Sequence, residues 1–208
     1  MRKYACSSWK SSTSRIRAIL IMKTIGELQK KVRNASQLRI SNSADESSDE
    51  LLNMKSYSGV VEYFPEELVI TVKAGTLIKD ISQTLRKKNQ ALPFFIEDDE
   101  KTIGSLYATA GSDLSDSVLG VQIINGKGDL LNFGGQVMKN VAGYDVSRLL
   151  VGSMGKLAVI TQISFKVFPE KLAHERRINQ PKKINDSTLR EEIEQRLKDV
   201  FDPYGVFV

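Results

Sequence analysis

The sequence has one cysteine, Cys6, and one histidine, His174. A single thiol excludes an internal disulfide and a cysteine-rich metal site. A lone histidine in a polar stretch gives a histidine metal centre no second ligand. A cytoplasmic setting fits this cysteine usage. No apolar run nears the roughly 18 residues of a membrane span. The sequence also lacks a Walker loop, a Rossmann G-x-G-x-x-G, a paired-carboxylate motif and a His-Asp-Ser set. What remains is an ordinary globular composition, 41 % apolar and 26 % charged over 208 residues. That length is enough for one core or two small lobes.

The net charge of +5 is confined to one end. Residues 1–21 contain Arg2, Lys3, Lys10, Arg15 and Arg17 and no acid, so residues 22–208 are neutral. A neutral body is a poor phosphate binder, which argues against a nucleic-acid partner. The basic segment reads as a tail, a targeting peptide or a mis-assigned start ahead of Met22, and the last is favoured. Its apolar part, Ala18 to Met22, is shorter than the roughly 7 residues of a secretory signal.

Thr24 with Glu27 has the spacing of a capping box, and Ile25, Leu28 and Val32 repeat on one helical face. Gln37 to Ile40 reads as a short strand. Residues 41–50 offer no apolar group larger than alanine and read as a loop or disordered spacer. Val60 to Tyr63 and Leu68 to Val72 predict a hairpin around Phe64-Pro65-Glu66-Glu67. Thr76 is placed to cap a helix with its stripe at Leu77, Ile78, Ile81 and Leu85. A second hairpin is expected from Val118 to Asn125 and from Leu130 to Phe133, and the longest strand from Leu157 to Val167. Residues 169–186 are a linker by composition. A last helix follows in 187–208, with Leu189, Ile193, Leu197, Val200 and Phe201 on one face and Asp202-Pro203 ending it. Short helices alternating with hairpins give an α+β fold, with the main domain over 22–168.

Two glycine turns are the candidate sites. Thr102-Ile103-Gly104-Ser105 precedes an apolar helix, where exposed backbone N–H groups can hold a phosphate. Taken alone, a plain helix cap is the more common use of such a turn. Gly152-Ser153-Met154-Gly155-Lys156 leads into a buried strand through Val159 and Ile160, and its small residues let a flat ligand approach the backbone. Taken alone, an ordinary turn is the favoured reading.

The run Gly134 to Leu149, with Lys139-Asn140-Val141-Ala142-Gly143-Tyr144-Asp145 at its centre, resembles the FAD-linked oxidases related to vanillyl-alcohol oxidase and the D-lactate dehydrogenases. The likeness is strongest to the FAD-binding subunit type of bacterial glycolate oxidases. Gly152 to Thr161 is similar to that family's Gly-Ser-x-Gly-Thr-Leu-Gly-Val-x-Thr strand, and Thr102–Ser105 to its Thr-x-Gly-Gly turn. Tyr63 to Thr76 and Arg196 to Phe207 match more weakly, in the same order.

The resemblance implies a two-lobed FAD-binding domain of the vanillyl-alcohol-oxidase type, with FAD between the lobes. Its cofactor contacts would be Thr102, Ile103, Gly104, Ser105, Tyr144, Gly152, Ser153, Gly155, Lys156, Val159 and Ile160. It implies a glycolate or other small 2-hydroxy acid as substrate, flavin and iron–sulfur subunits as partners, and a cytoplasmic place, peripheral at the inner membrane through those partners. It gives no catalytic residue: Tyr144 and Lys139 are the titratable groups of its most specific part, and neither has a neighbour that marks it as activated.

The sequence departs from the family pattern. Leu38-Arg39-Ile40 runs into Ser41-Asn42-Ser43 where the family has a glycine-rich loop, and the loop between Gly111 and Asp116 is short. Lys156 and Ala158 stand where the family has Thr and Gly. About twenty residues separate Pro169 from the last helix, against the roughly 50 of a small domain, so the cap domain reads as missing and the fold as incomplete. The alternative is therefore a non-catalytic remnant that keeps the fold and a subunit interface but binds FAD weakly or not at all.

Overall fold

A computed structural model describes residues 24–41, 50–94, 98–135, 145–173 and 188–208. The chain enters through α1 (Ile25–Asn34). Its capping box is formed as the sequence predicts: the Glu27 N–H donates to the Thr24 hydroxyl at 3.3 Å and the Thr24 N–H to the Glu27 carboxylate at 3.1 Å. Leu28 and Val32, one turn apart, are buried. β1 (Arg39–Ser41) and β2 (Leu51–Asn53) then pair in parallel. The expected spacer lies, apart from Ser41 and Glu50, outside the described residues.

The main sheet has the strand order β3-β4-β8-β6-β7 and is antiparallel throughout. It contains both expected hairpins, β3 (Val60–Phe64) with β4 (Val69–Lys73), and β6 (Val118–Ile124) with β7 (Leu130–Gly134). The long strand β8 (Val159–Lys166) joins them at the centre. Period-2 alternation sends Ile70 and Val72 of β4 and Ile163 and Phe165 of β8 into the core, all at 1 % exposure or less. α2 (Ile78–Arg86) and α3 (Ile103–Thr109) add Ile78, Ile81, Leu85, Ile103 and Tyr107 to the same core. Thr76 does not cap α2. Leu77 is the cap residue, and the Thr76 hydroxyl instead donates to the Lys73 carbonyl at 2.7 Å and accepts the Gly59 N–H, which ties off the end of β4.

The small parallel pair forms the second lobe with α1 and the chain's last residues. Gln29 and Arg33 of α1 both donate to the Gly128 carbonyl at 2.9 Å, which joins this lobe to the β6–β7 turn. β5 (Gln90–Ala91) pairs with β9 (Phe168–Pro169), and α4 (Val146–Leu149) precedes the loop into β8. α5 (Thr188–Phe201) ends the chain's helical part. Only part of its predicted apolar face is covered: Phe201 is buried and Leu197 half-buried, while Ile193 and Val200 are 48 % and 69 % exposed. Among the described residues no helix is long and apolar enough to cross a membrane, and no metal-ligating cluster is present.

Candidate functional site

A groove of about 120 Å³ opens where the two lobes meet. Ile40 of β1 and Met54, just after β2, form one side. Ala74, just after β4, and Gly104, Ser105, Ala108 and Thr109 of α3 form the floor. Met154, Gly155, Ala158 and Ile160 form the other side. None of these residues carries a charge.

The floor is set by the entry of α3. Thr102 caps the helix by accepting the Ser105 N–H at 3.2 Å, and it bridges to Leu77. The Ile103 N–H donates to the Thr76 carbonyl and the Gly104 N–H to the Ala74 carbonyl, both at 2.8 Å. A Cβ on Gly104 would lie 2.7 Å from the Ala74 methyl, so only glycine lets the helix sit this close to the end of β4. The first amides of α3 are thereby engaged within the fold, so phosphate recognition at this turn would have to displace them.

The far wall hangs on the other end of α3. The Gly152 N–H donates to the Tyr107 carbonyl at 3.0 Å and the Met154 N–H to the Ala108 carbonyl at 2.9 Å. Met154 and Gly155 are consecutive left-handed residues, with φ of 56° and 74°. A Cβ on Gly155 would face Ile40 across the groove at 3.5 Å. Beneath this wall the fully buried Tyr107 donates its hydroxyl to the Ser147 carbonyl, fixing α4 to α3. Burial holds the Tyr107 phenol far above its ordinary value, and the negative charge of Asp145 adds to this.

The predicted contacts therefore divide. Gly104, Ser105, Gly155 and Ile160 come together in the groove. Thr102 is buried as a cap, and Ile103 and Val159 are core residues at 0 % exposure. Gly152, Ser153 and Lys156 line a second, wider groove of about 520 Å³ between this loop and α5, where the buried Ser153 hydroxyl has no hydrogen-bond partner among the described residues. Tyr144 and Lys139 lie outside the described residues. Ile40, Met54, Ala74, Ala108, Thr109 and Ala158 are not named as contacts from the sequence, and Met154 only as a member of its turn. The signal was faint: Ile40 directly precedes the stretch that replaces the family's glycine loop, and Ala158 stands at a family glycine.

A family model described as an FAD binding domain matches residues 17–134. The chain belongs to this FAD-binding domain family. Among curated relatives, it is 44 % identical over 128 residues to glycolate oxidase subunit GlcE of Escherichia coli (strain K12). That match covers 57 % of this chain and 37 % of the relative. It is 28 % identical over 133 residues to glycolate oxidase subunit GlcD of Bacillus subtilis (strain 168), covering 58 % of this chain and 27 % of the relative. Thus the matched part spans well under half the length of either relative. Among solved structures, an alkyldihydroxyacetonephosphate synthase superposes with a TM-score of 0.56 at 20 % identity, covering 71 % of this chain and 30 % of that one. The α+β, two-lobed fold is thus of the vanillyl-alcohol-oxidase type, present in part.

Proposed function

We propose that the chain binds FAD with the adenosine end in the groove between β1, β2, α3 and the 154–160 segment, and that it serves as the flavin-binding part of a 2-hydroxy-acid oxidoreductase assembly. The observation that carries this is the meeting of five small residues, Ala74, Gly104, Ala108, Gly155 and Ala158, from segments far apart in sequence, in one uncharged trough. Such a trough suits a flat ring. Gly155 leaves open the space a side chain would fill, and Ile40 and Ile160 offer apolar faces to it. Ser105 and Thr109 of the floor bring hydroxyl oxygens for a ribose, the Thr109 hydroxyl donating to the Ser105 carbonyl at 2.8 Å and free to accept. At about 120 Å³ the groove is smaller than the roughly 300 Å³ lower bound of ligand pockets, so it takes one end of the dinucleotide and leaves the remainder outside it.

When bound, the flavin supplies the redox chemistry, accepting a hydride equivalent from the alcohol carbon of a 2-hydroxy acid. The chain's own residues hold the cofactor and exclude water from its adenosine end. They do less for the pyrophosphate. The amides of Ile103, Gly104 and Ser105 already have partners, and the groove has no cation. Weak or partner-dependent binding follows. Flavin and iron–sulfur subunits of the glycolate-oxidase kind are the partners, with a cytoplasmic place, peripheral at the inner membrane through them.

The engaged amides also favour a second reading, a non-catalytic relative that keeps the fold and an interface. An absorption spectrum of the purified chain before and after FAD addition separates the two. A saturable change of the flavin band as FAD is added supports the first, and a spectrum that stays the plain sum of protein and free FAD supports the second.

A further inference from the structure

Two polar residues at the end of α5 hold the segments that adjoin both walls of the groove. The fully buried Asp202 carboxylate accepts the N–H groups of Val206 at 2.8 Å and Phe207 at 2.9 Å. The turn this creates directs the Val206 carbonyl to the Leu38 N–H at 2.6 Å, and the Val208 N–H donates to the Leu38 carbonyl at 3.1 Å. The chain end therefore runs parallel beside the start of β1, two residues from Ile40. Lys198, one helical turn before Asp202, pairs with it at 3.2 Å. The same ammonium donates to the Phe207 carbonyl and, at 3.2 Å, to the Lys156 carbonyl. Lys156 follows Gly155, the opposite wall. An ammonium has three protons, and here they meet three oxygens, those of Asp202 and Phe207 in the C-terminal segment and of Lys156 in the loop before β8.

We propose that Lys198 and Asp202 are positioning residues for the flavin site, a clasp through which the C-terminal segment sets the separation of Ile40 and Gly155. The inference rests on reading the groove as the FAD site, but the clasp itself can be tested without flavin. Removing the ammonium leaves the buried carboxylate uncompensated and releases the Lys156 carbonyl. The 152–156 loop then keeps its bonds to α3 and the Ser153 N–H bond to the Leu150 carbonyl, and the β1 edge keeps a strand whose turn is loosened.

The experiment compares the unaltered chain with Lys198→Met and Lys198→Arg. Brief trypsin digestion under native conditions, followed by mass spectrometry, reads cleavage after Lys156, and FAD titration reads the Kd. The expected result for Lys198→Met is cleavage after Lys156 accelerated, and Kd raised, by about tenfold, the equivalent of one charge-assisted hydrogen bond. Arginine, which can still donate to several oxygens, should restore most of both. Unchanged cleavage after Lys156 in a folded Lys198→Met protein overturns the clasp, whatever FAD does. An unaltered chain that fails to bind FAD overturns the flavin reading, while the cleavage rates still decide the clasp. Should Lys198→Met not fold, hydrogen exchange on the unaltered chain decides. The clasp requires the amides of Lys156, Val206 and Phe207 to open together, and separate opening free energies overturn it.

Discussion

The amide nitrogen of Gly104 lies 2.8 Å from the carbonyl oxygen of Ala74. This bond joins the floor of the groove to the end of a central strand, and it leaves no room for a side chain, since a Cβ would come within 2.7 Å of the Ala74 methyl. Gly104→Ala should therefore lower stability by about 1–3 kcal/mol, the range for overpacking a filled site. A shifted urea midpoint at unchanged slope would verify it. For the same reason a branched residue here reports on the fold before it reports on any ligand.

Tyr107 gives a pH-dependent counterpart. The folded chain resists ionising this phenol, whose folded pKa is raised, whereas the unfolded chain ionises it near the ordinary value of 10.0. Its contribution is thus complete below about pH 10 and is lost as the pH rises beyond that. Tyr107→Phe should be less stable by about 1 kcal/mol at neutral pH. The difference from the unaltered chain should shrink in denaturant melts above about pH 10. A difference that stays constant up to the alkaline limit would mean that burial of the hydroxyl is unimportant.

These two residues also mark how far the sequence could be read. The capping box of α1, both hairpins and the long strand rest on local patterns, and each stands within a residue or two of where its pattern places it. β2 carries no such pattern: three residues become a strand only because β1 lies alongside, a pairing decided by the tertiary fold. Thr76 looks like a cap in sequence but is drawn to the Lys73 carbonyl instead. Four of the eleven groove residues, Gly104, Ser105, Gly155 and Ile160, were legible because glycines mark their turns. Ile40, Met54 and Ala74 were not, since ordinary apolar residues acquire a role only when chain segments distant in sequence meet.

The N-terminus of α1 is held by two reciprocal bonds between Thr24 and Glu27. Thr24→Ala removes the hydroxyl acceptor, while the Glu27 carboxylate keeps the backbone N–H of residue 24, and this should cost about 1 kcal/mol. Thermal melts should show the corresponding fall in midpoint, with Thr24→Ser close to the unaltered chain. Equal midpoints for alanine and threonine would show that α1 is fixed by its buried face alone.

With the adenosine end in the groove, the flavin ring would lie outside it, where nothing among the described residues encloses a 2-hydroxy acid against the ring and keeps water away. Mixed anaerobically with glycolate or D-lactate, the FAD-loaded chain by itself should show no rapid flavin bleaching. Rapid bleaching by either acid would establish a complete catalytic site within this chain.

The position of FAD is the central claim, and one titration tests it most directly. Ala108 lies half-buried on the floor, and leucine there fills the groove with a good helix former and no backbone strain. Lys156 lines the other groove. FAD titrated into the unaltered chain, Ala108→Leu and Lys156→Met, each verified as folded by circular dichroism, should bind at least roughly tenfold more weakly to Ala108→Leu and equally well to Lys156→Met. Full affinity in Ala108→Leu together with a loss in Lys156→Met would contradict the account and move the cofactor to the groove beside α5.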